Sequence, residues 1–154
     1  MRFFTMTWWR GAPGSFGRGQ HDDYIAHVTA LRVRVPPERL PILNALLALT
    51  LHDAELRHLR LDPAAATLHI SLENRYTDER FTLAYSGVEQ FASESDPEGL
   101  CDHSYGDLGY DEVDLSPTGA FVHRMLFSSG IELDVVFHGF GLLRGVAAPD
   151  PAGM

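Results

Sequence analysis

The sequence predicts an α+β fold in which an N-terminal arm and two helices pack on a mostly antiparallel sheet of about six strands. Three observations carry that expectation. The hydrophobic repeat changes near Leu51 from the helical period to the strand period, so helices come first and strands follow. The strand segments are joined by short turns of Gly, Pro, Asp and Ser, which suits antiparallel neighbours. Finally, 154 residues with 45% apolar and 21% charged side chains suit one globular domain, 1–154. A chain of this size buries roughly 70% of its unfolded surface and needs neither disulfide nor metal to hold a core.

Residues 1–20 read as a Gly-rich arm, because the segment GAPGSFGRG at 11–19 holds four glycines and a proline. Its spacing fits neither a phosphate-binding loop nor the dinucleotide fingerprint, so a flexible connector is the expectation. Phe3, Phe4, Trp8 and Trp9 are too apolar to stay in water and anchor the arm to the body. Residues 21–49 form a helical region in which 21–35 reads two ways. Tyr24, His27, Val28 and Leu31 recur at helical spacing behind Asp22 and Asp23, whereas Leu31, Val33 and Val35 alternate with Arg32 and Arg34 as in a strand. Pro36-Pro37 ends either one. Glu38 to Leu49 follows as a short buried helix, with Leu40, Leu43, Leu46 and Leu47 on one stripe and Pro41 in the first turn.

The sheet is expected over 51–144. Ala54–Leu61 and Ala66–Glu73 flank a DPAA turn, and Leu68, Ile70 and Leu72 alternate with polar residues. Phe81, Leu83 and Tyr85 repeat that pattern and stop at Ser86-Gly87. Residues 89–104 are polar and turn-rich, with one helical turn around Phe91. Tyr110–Leu115 and Ala120–Phe127 flank SPTG, which places Pro and Gly at turn positions. Ile131, Leu133, Val135 and Phe137 then alternate with Glu132, Asp134, Val136 and His138, and the tail 145–154 is expected to be disordered.

These motifs, taken in order, resemble a bacterial family of uncharacterised proteins, a domain of unknown function. They are the MRFFT opening, Tyr24-x-x-His27-Val28, Leu51-His52-Asp53-Ala54 leading into the sheet, Tyr110-Asp111-Glu112, and Phe121-x-His123-x-x-Leu126-Phe127 followed by a last strand. The resemblance covers 1–6 and 21–144 and implies that residues 21–35 are helical; no activity travels with it. A looser similarity to small sheet-rich immunity proteins of bacterial toxin systems implies a partner-binding role. The Gly-rich insert at 11–19 lies outside the pattern.

Composition narrows the function classes. Twenty-one carboxylates against 12 basic residues leave −9, a field that repels nucleic acid and anionic membranes. All 12 basic residues are Arg; without Lys there is no Schiff-base chemistry and no phosphate-loop lysine. The single Cys101 forbids an internal disulfide and a multi-cysteine zinc site and suits a reducing compartment. The first residues do not read as a secretory signal, and the longest apolar stretch, Leu40 to Leu51, is far short of the ~20 residues a span needs. A cytoplasmic location is the expectation, with no cofactor.

Three groups of residues are candidate sites. The first is His52 and Asp53 with the Tyr110–Leu115 hairpin. A four-residue SPTG loop sets Leu115 against Ala120, Glu112 against His123 and Asp111 against Arg124; if His52 and Asp53, at the mouth of the first strand, lie near that face, then His52, Asp53, Glu112 and His123 form an acid–base or metal cluster. Ordinary cross-strand charge pairing explains the same residues. The second is His58, His69 and His138, three imidazoles at outward strand positions that suit zinc if their strands are neighbours; scattered solvent-face histidines are the simpler reading. Cys101, Asp102 and His103 are sequence neighbours in a loop and do not read as a triad.

The third group is electrostatic. Between Arg80 and Arg124 there is no basic residue besides His103 and His123, and 89–114 carries Glu89, Glu94, Asp96, Glu98, Asp102, Asp107, Asp111, Glu112 and Asp114. With Phe91, Tyr105 and Tyr110 interleaved, this segment reads as a docking face for a basic protein. A non-enzymatic interaction module, immunity-type as the looser similarity implies, is therefore the leading function. A small metal-dependent or acid–base enzyme and a homodimer formed by an exposed edge strand are the alternatives.

Overall fold

The computed structural model describes residues 1–11, 19–95 and 105–146. The α+β class holds, but among the described residues the strands number eight and form two four-stranded sheets rather than one sheet of about six. The arm carries a short helix, α1 (Met6–Trp9), capped where Trp8 N–H donates to Thr5 Oγ1 at 3.1 Å. Residues 21–34 are helical, within α2 (Gly19–Arg34), and Val35 follows its end. Asp22 in its first turn and Arg32 and Arg34 in its last complement the helix dipole. Only Leu31 of α2 is fully buried, so this helix lies on the surface. A 3₁₀ turn (Pro37–Arg39) leads into α3 (Leu40–Leu47), which buries Leu43 and Leu46.

The first sheet has the order β1 (Ala54–Asp62), β2 (Thr67–Asn74), β3 (Glu79–Ser86), β8 (Gly139–Val146). The second runs β4 (Gln90–Ser95), β7 (Ile131–Phe137), β6 (Phe121–Phe127), β5 (Leu108–Leu115), and every pairing is antiparallel. The alternation seen in the sequence builds one core between them. Leu68, Ile70, Leu72, Phe81, Leu83 and Tyr85 face Phe121, Met125, Leu133, Val135 and Phe137, and α2 and α3 add Leu31, Leu43 and Leu46.

Two strands depart from expectation. β4 stands where a helical turn around Phe91 was expected, because Phe91 pairs with Val135 and Glu94 with Glu132 on an existing sheet edge. β8 continues past 144, so Gly145 and Val146 belong to the sheet and not to the tail. The rest of the tail, 147–154, and residues 12–18 of the arm lie outside the described residues. Among the described residues, no helix is long and apolar enough to cross a membrane.

Candidate functional site

The β5–β6 turn decides what the hairpin can do. Ser116 N–H donates to the Ala120 carbonyl at 2.8 Å, and Gly119, at φ 86°, closes the loop with a bond to Ser116. The connection is therefore one residue longer than SPTG. Leu115 pairs with Phe121 rather than Ala120, Glu112 with Arg124, Val113 with His123 and Asp111 with Met125. A one-residue slip exchanges the two faces of a strand. His123 thus turns into the core, while Glu112 turns away from it.

The expected cluster of His52, Asp53, Glu112 and His123 does not assemble. His52 sits at the start of β1, where its Nδ1–H donates to the Gly109 carbonyl at 2.9 Å and its Nε2 lies 3.4 Å from Asp53. Asp53 holds a left-handed turn (φ 67°) and donates its N–H to Leu108 at 2.9 Å. This pair closes a turn beside β5. The histidine triplet is likewise dispersed: His58 pairs with Ser71, His69 lies between Arg60 and Ala84, and His138 bonds Glu89 at 2.6 Å. Among the described residues no three His, Cys, Asp or Glu side chains are grouped to hold a metal.

His123 instead completes a contact absent from the sequence pattern. Its Nε2 is 2.8 Å from Asp111 Oδ2 and its Nδ1 is 2.8 Å from Tyr85 Oη. Nε2–H donates to the carboxylate, which leaves Nδ1 to accept from the Tyr85 hydroxyl. Tyr85 comes from the first sheet and His123 and Asp111 from the second, so the chain of bonds joins the two layers. Burial, and then the charge of Asp111, push the Tyr85 phenol well above its usual range. Tyr85 and His123 are 1% and 0% exposed, so neither presents an atom to a substrate; the set is a polar pin through the core.

Glu112 and Asp114 are also committed internally. Glu112, 1% exposed, accepts the backbone N–H groups of Arg2, Phe3 and Phe4 at 2.8, 2.7 and 2.7 Å. This carboxylate clamps the arm across the outer face of the second sheet. Phe4 stacks on Tyr110 at 5.2 Å, and Trp8 and Trp9 meet the same ring edge-on. Asp114 lies 3.3 Å from Arg124, 3.4 Å from His27 and 3.8 Å from Arg2. Tyr24 on α2 accepts the Val113 N–H at 2.9 Å. Burial first, with Asp111, Glu112 and Asp114 adding, drives its phenol above the ordinary range against that bond. Tyr110, Asp111, Glu112 and Asp114 therefore organise the arm, the helix and the core. Asp107 faces Arg75 at 3.7 Å. Asp96, Glu98 and Asp102, like Cys101 and His103, lie outside the described residues.

Beyond α1 and α2, the same outer face carries a second set of acids, partly exposed among the described residues. Glu94 on β4 stands directly opposite Glu132 on β7, and the next outward position on β7 is Asp134, between Ala92 and Arg124. The Met1 amine reaches Glu132 at 2.6 Å. Asp134 Oδ1 is buried without a hydrogen-bond partner. Burial, with Glu132 and Glu94 adding, holds the Asp134 carboxyl above its ordinary value, although the Met1 amine and Arg124 pull it down. A cleft of about 440 Å³ opens here, walled by Val122, Val136 and the β5–β6 turn, with Glu89, Asp134 and Arg124 on its lining. Glu132 and Asp134 belong to the polar phase of the β7 alternation, a signal present in the sequence but outside the 89–114 acidic run. Compared with known proteins, the chain matches no family model and no curated protein.

Proposed function

We propose that the protein is a non-enzymatic interaction module that presents the β4–β7 half of the second sheet's outer face to a basic protein, in an immunity-type role. The observation that carries this reading is exposed Glu94 directly opposite Glu132, which holds the Met1 amine, next to Asp134, whose Oδ1 lacks a partner among the described residues. Like charges directly opposite on neighbouring strands destabilise a sheet, and a cationic side chain from outside relieves that repulsion. The cleft walls Val122 and Val136 offer apolar surface to the stem of an arginine or lysine, whose head then meets Asp134 and Glu89. Glu94 and Glu89 come from the 89–114 run, and Asp96 and Glu98 follow β4 directly in the sequence.

The test is capture at low ionic strength with the immobilised full chain, repeated with the triple variant Glu94→Gln, Glu132→Gln, Asp134→Asn. A basic protein should be retained, should wash off steeply with salt, and should bind the variant roughly tenfold or more weakly. Equal retention by the variant, or retention indifferent to salt, overturns the proposal.

A further inference from the structure

Four strands end a sheet in this fold, and three of them are guarded. β1 is bent by a register shift between Leu56 and His58 and carries Arg57 and Arg60. The outward backbone of β5 is occupied: Val113 N–H by Tyr24, Val113 carbonyl by His27 at 3.1 Å, Gly109 carbonyl by His52. β4 is six residues long and holds Glu94. These are the devices by which proteins keep sheet edges from pairing. β8, against which α3 packs, has no register shift and, among the described residues, no side chain bonded to its outer backbone. It runs eight residues in unbroken register with β3, and Arg144 is its single charge. Among the described residues, no hydrogen bond from outside β3 reaches it.

The side chains of β8 are self-complementary. On the face turned from the core, Leu143 is 66% exposed. Its neighbours on that face of the strand are Gly141 and Gly145, and a Cβ at either meets nothing within 4 Å. An isobutyl group therefore stands on a bare strip, with Thr82 and Ala84 of β3 beside it. Antiparallel pairing about a two-fold centred on Leu142 sets Leu143 against Gly141 of the second copy, and Phe140 against Arg144. Opposite residues of an antiparallel pair share a face, so each Leu143 enters the open space above a glycine. Arg144, already 5.4 Å from the Phe81 ring, meets a second aromatic ring there.

We propose that two copies of this chain pair through β8, joining their first sheets into one continuous eight-stranded sheet. The occupant is a second copy because the protruding leucine and the vacant glycine lie on one face of one strand, where a two-fold centred on Leu142 sets each against the other. The acidic outer face of the second sheet lies on other strands and stays free, so this pairing stands or falls apart from the basic-partner reading.

Sedimentation of the full chain tests it, with Gly141→Glu and Leu143→Lys measured singly and mixed. Wild type should show twice the 17.1 kDa mass of one chain, and each variant should fall to a single chain mass with unchanged circular dichroism. Mixing the two variants should restore the doubled mass, since one introduced carboxylate then faces one introduced ammonium and the other seam contact is native. A wild type that stays at single mass at its highest soluble concentration overturns the proposal, as does a dimer untouched by both variants. Single-mass variants that fail to recombine overturn the two-fold register.

Discussion

The outer face of the second sheet has two halves built from similar residues and used in opposite ways. On β5 and β6, Glu112 and Asp114 lie under the arm and α2, and their oxygens take backbone N–H groups and arginines. On β4 and β7 the arm reaches Glu132 through the Met1 amine, Glu94 is exposed, and these two carboxylates face each other. Whether a carboxylate is structural here depends on what lies above it, not on its place in the acidic run. A buried charge surrounded by donors holds a fold together, whereas neighbouring like charges in water oppose it and favour an outside cation.

That contrast makes three predictions of falling size. Glu112→Ala removes the acceptor of three backbone N–H groups, at least one of them fully buried, and should cost about 3 kcal/mol or more in chemical denaturation. A loss under about 1 kcal/mol would mean that the arm is not held by this clamp. Glu94→Gln acts with the opposite sign. It relieves the repulsion with Glu132 and should raise stability by about 0.2–1 kcal/mol, an increment that salt should shrink; destabilisation would show that Glu94 has an attractive role. The smallest effect is a pH dependence at half-exposed Asp134. Its folded carboxyl lies above the ordinary 3.8, so the native state binds more protons than the unfolded one between those two values, and stability falls as pH rises through that window. Asp134→Asn should remove that component, which urea titrations at acid and neutral pH would reveal as a flatter profile.

Much of the fold was legible because apolar alternation is a local property. β2, β3 and β7 follow the strand repeat, β5 and β6 flank the SPTG turn signal, and α3 follows its leucine stripe. β4 was hidden because QFASES has one large apolar residue and gains its strand character from the neighbouring β7. β8 was hidden by Gly139, Gly141 and Gly145, which empty the positions that would have shown the period. The hairpin register failed by one residue because Ala120 belongs to the turn, and that slip alone moved His123 from the expected cluster into the core. The carboxylates of β5 read as a surface because their partners Arg2 to Phe4 and His27 are about a hundred residues away in the chain. No local pattern reports such contacts.

The Tyr85–His123–Asp111 chain has a mechanical consequence. Nonpolar surfaces slide over one another at little cost, but a donor and acceptor fixed at 2.8 Å on facing strands permit a single alignment of the two layers. A shift of either layer by one residue would strand a hydroxyl and an imidazole in hydrocarbon. The pin thus acts as a dowel that keeps the plates of the sandwich in one relative setting, and with them the geometry of every surface they carry.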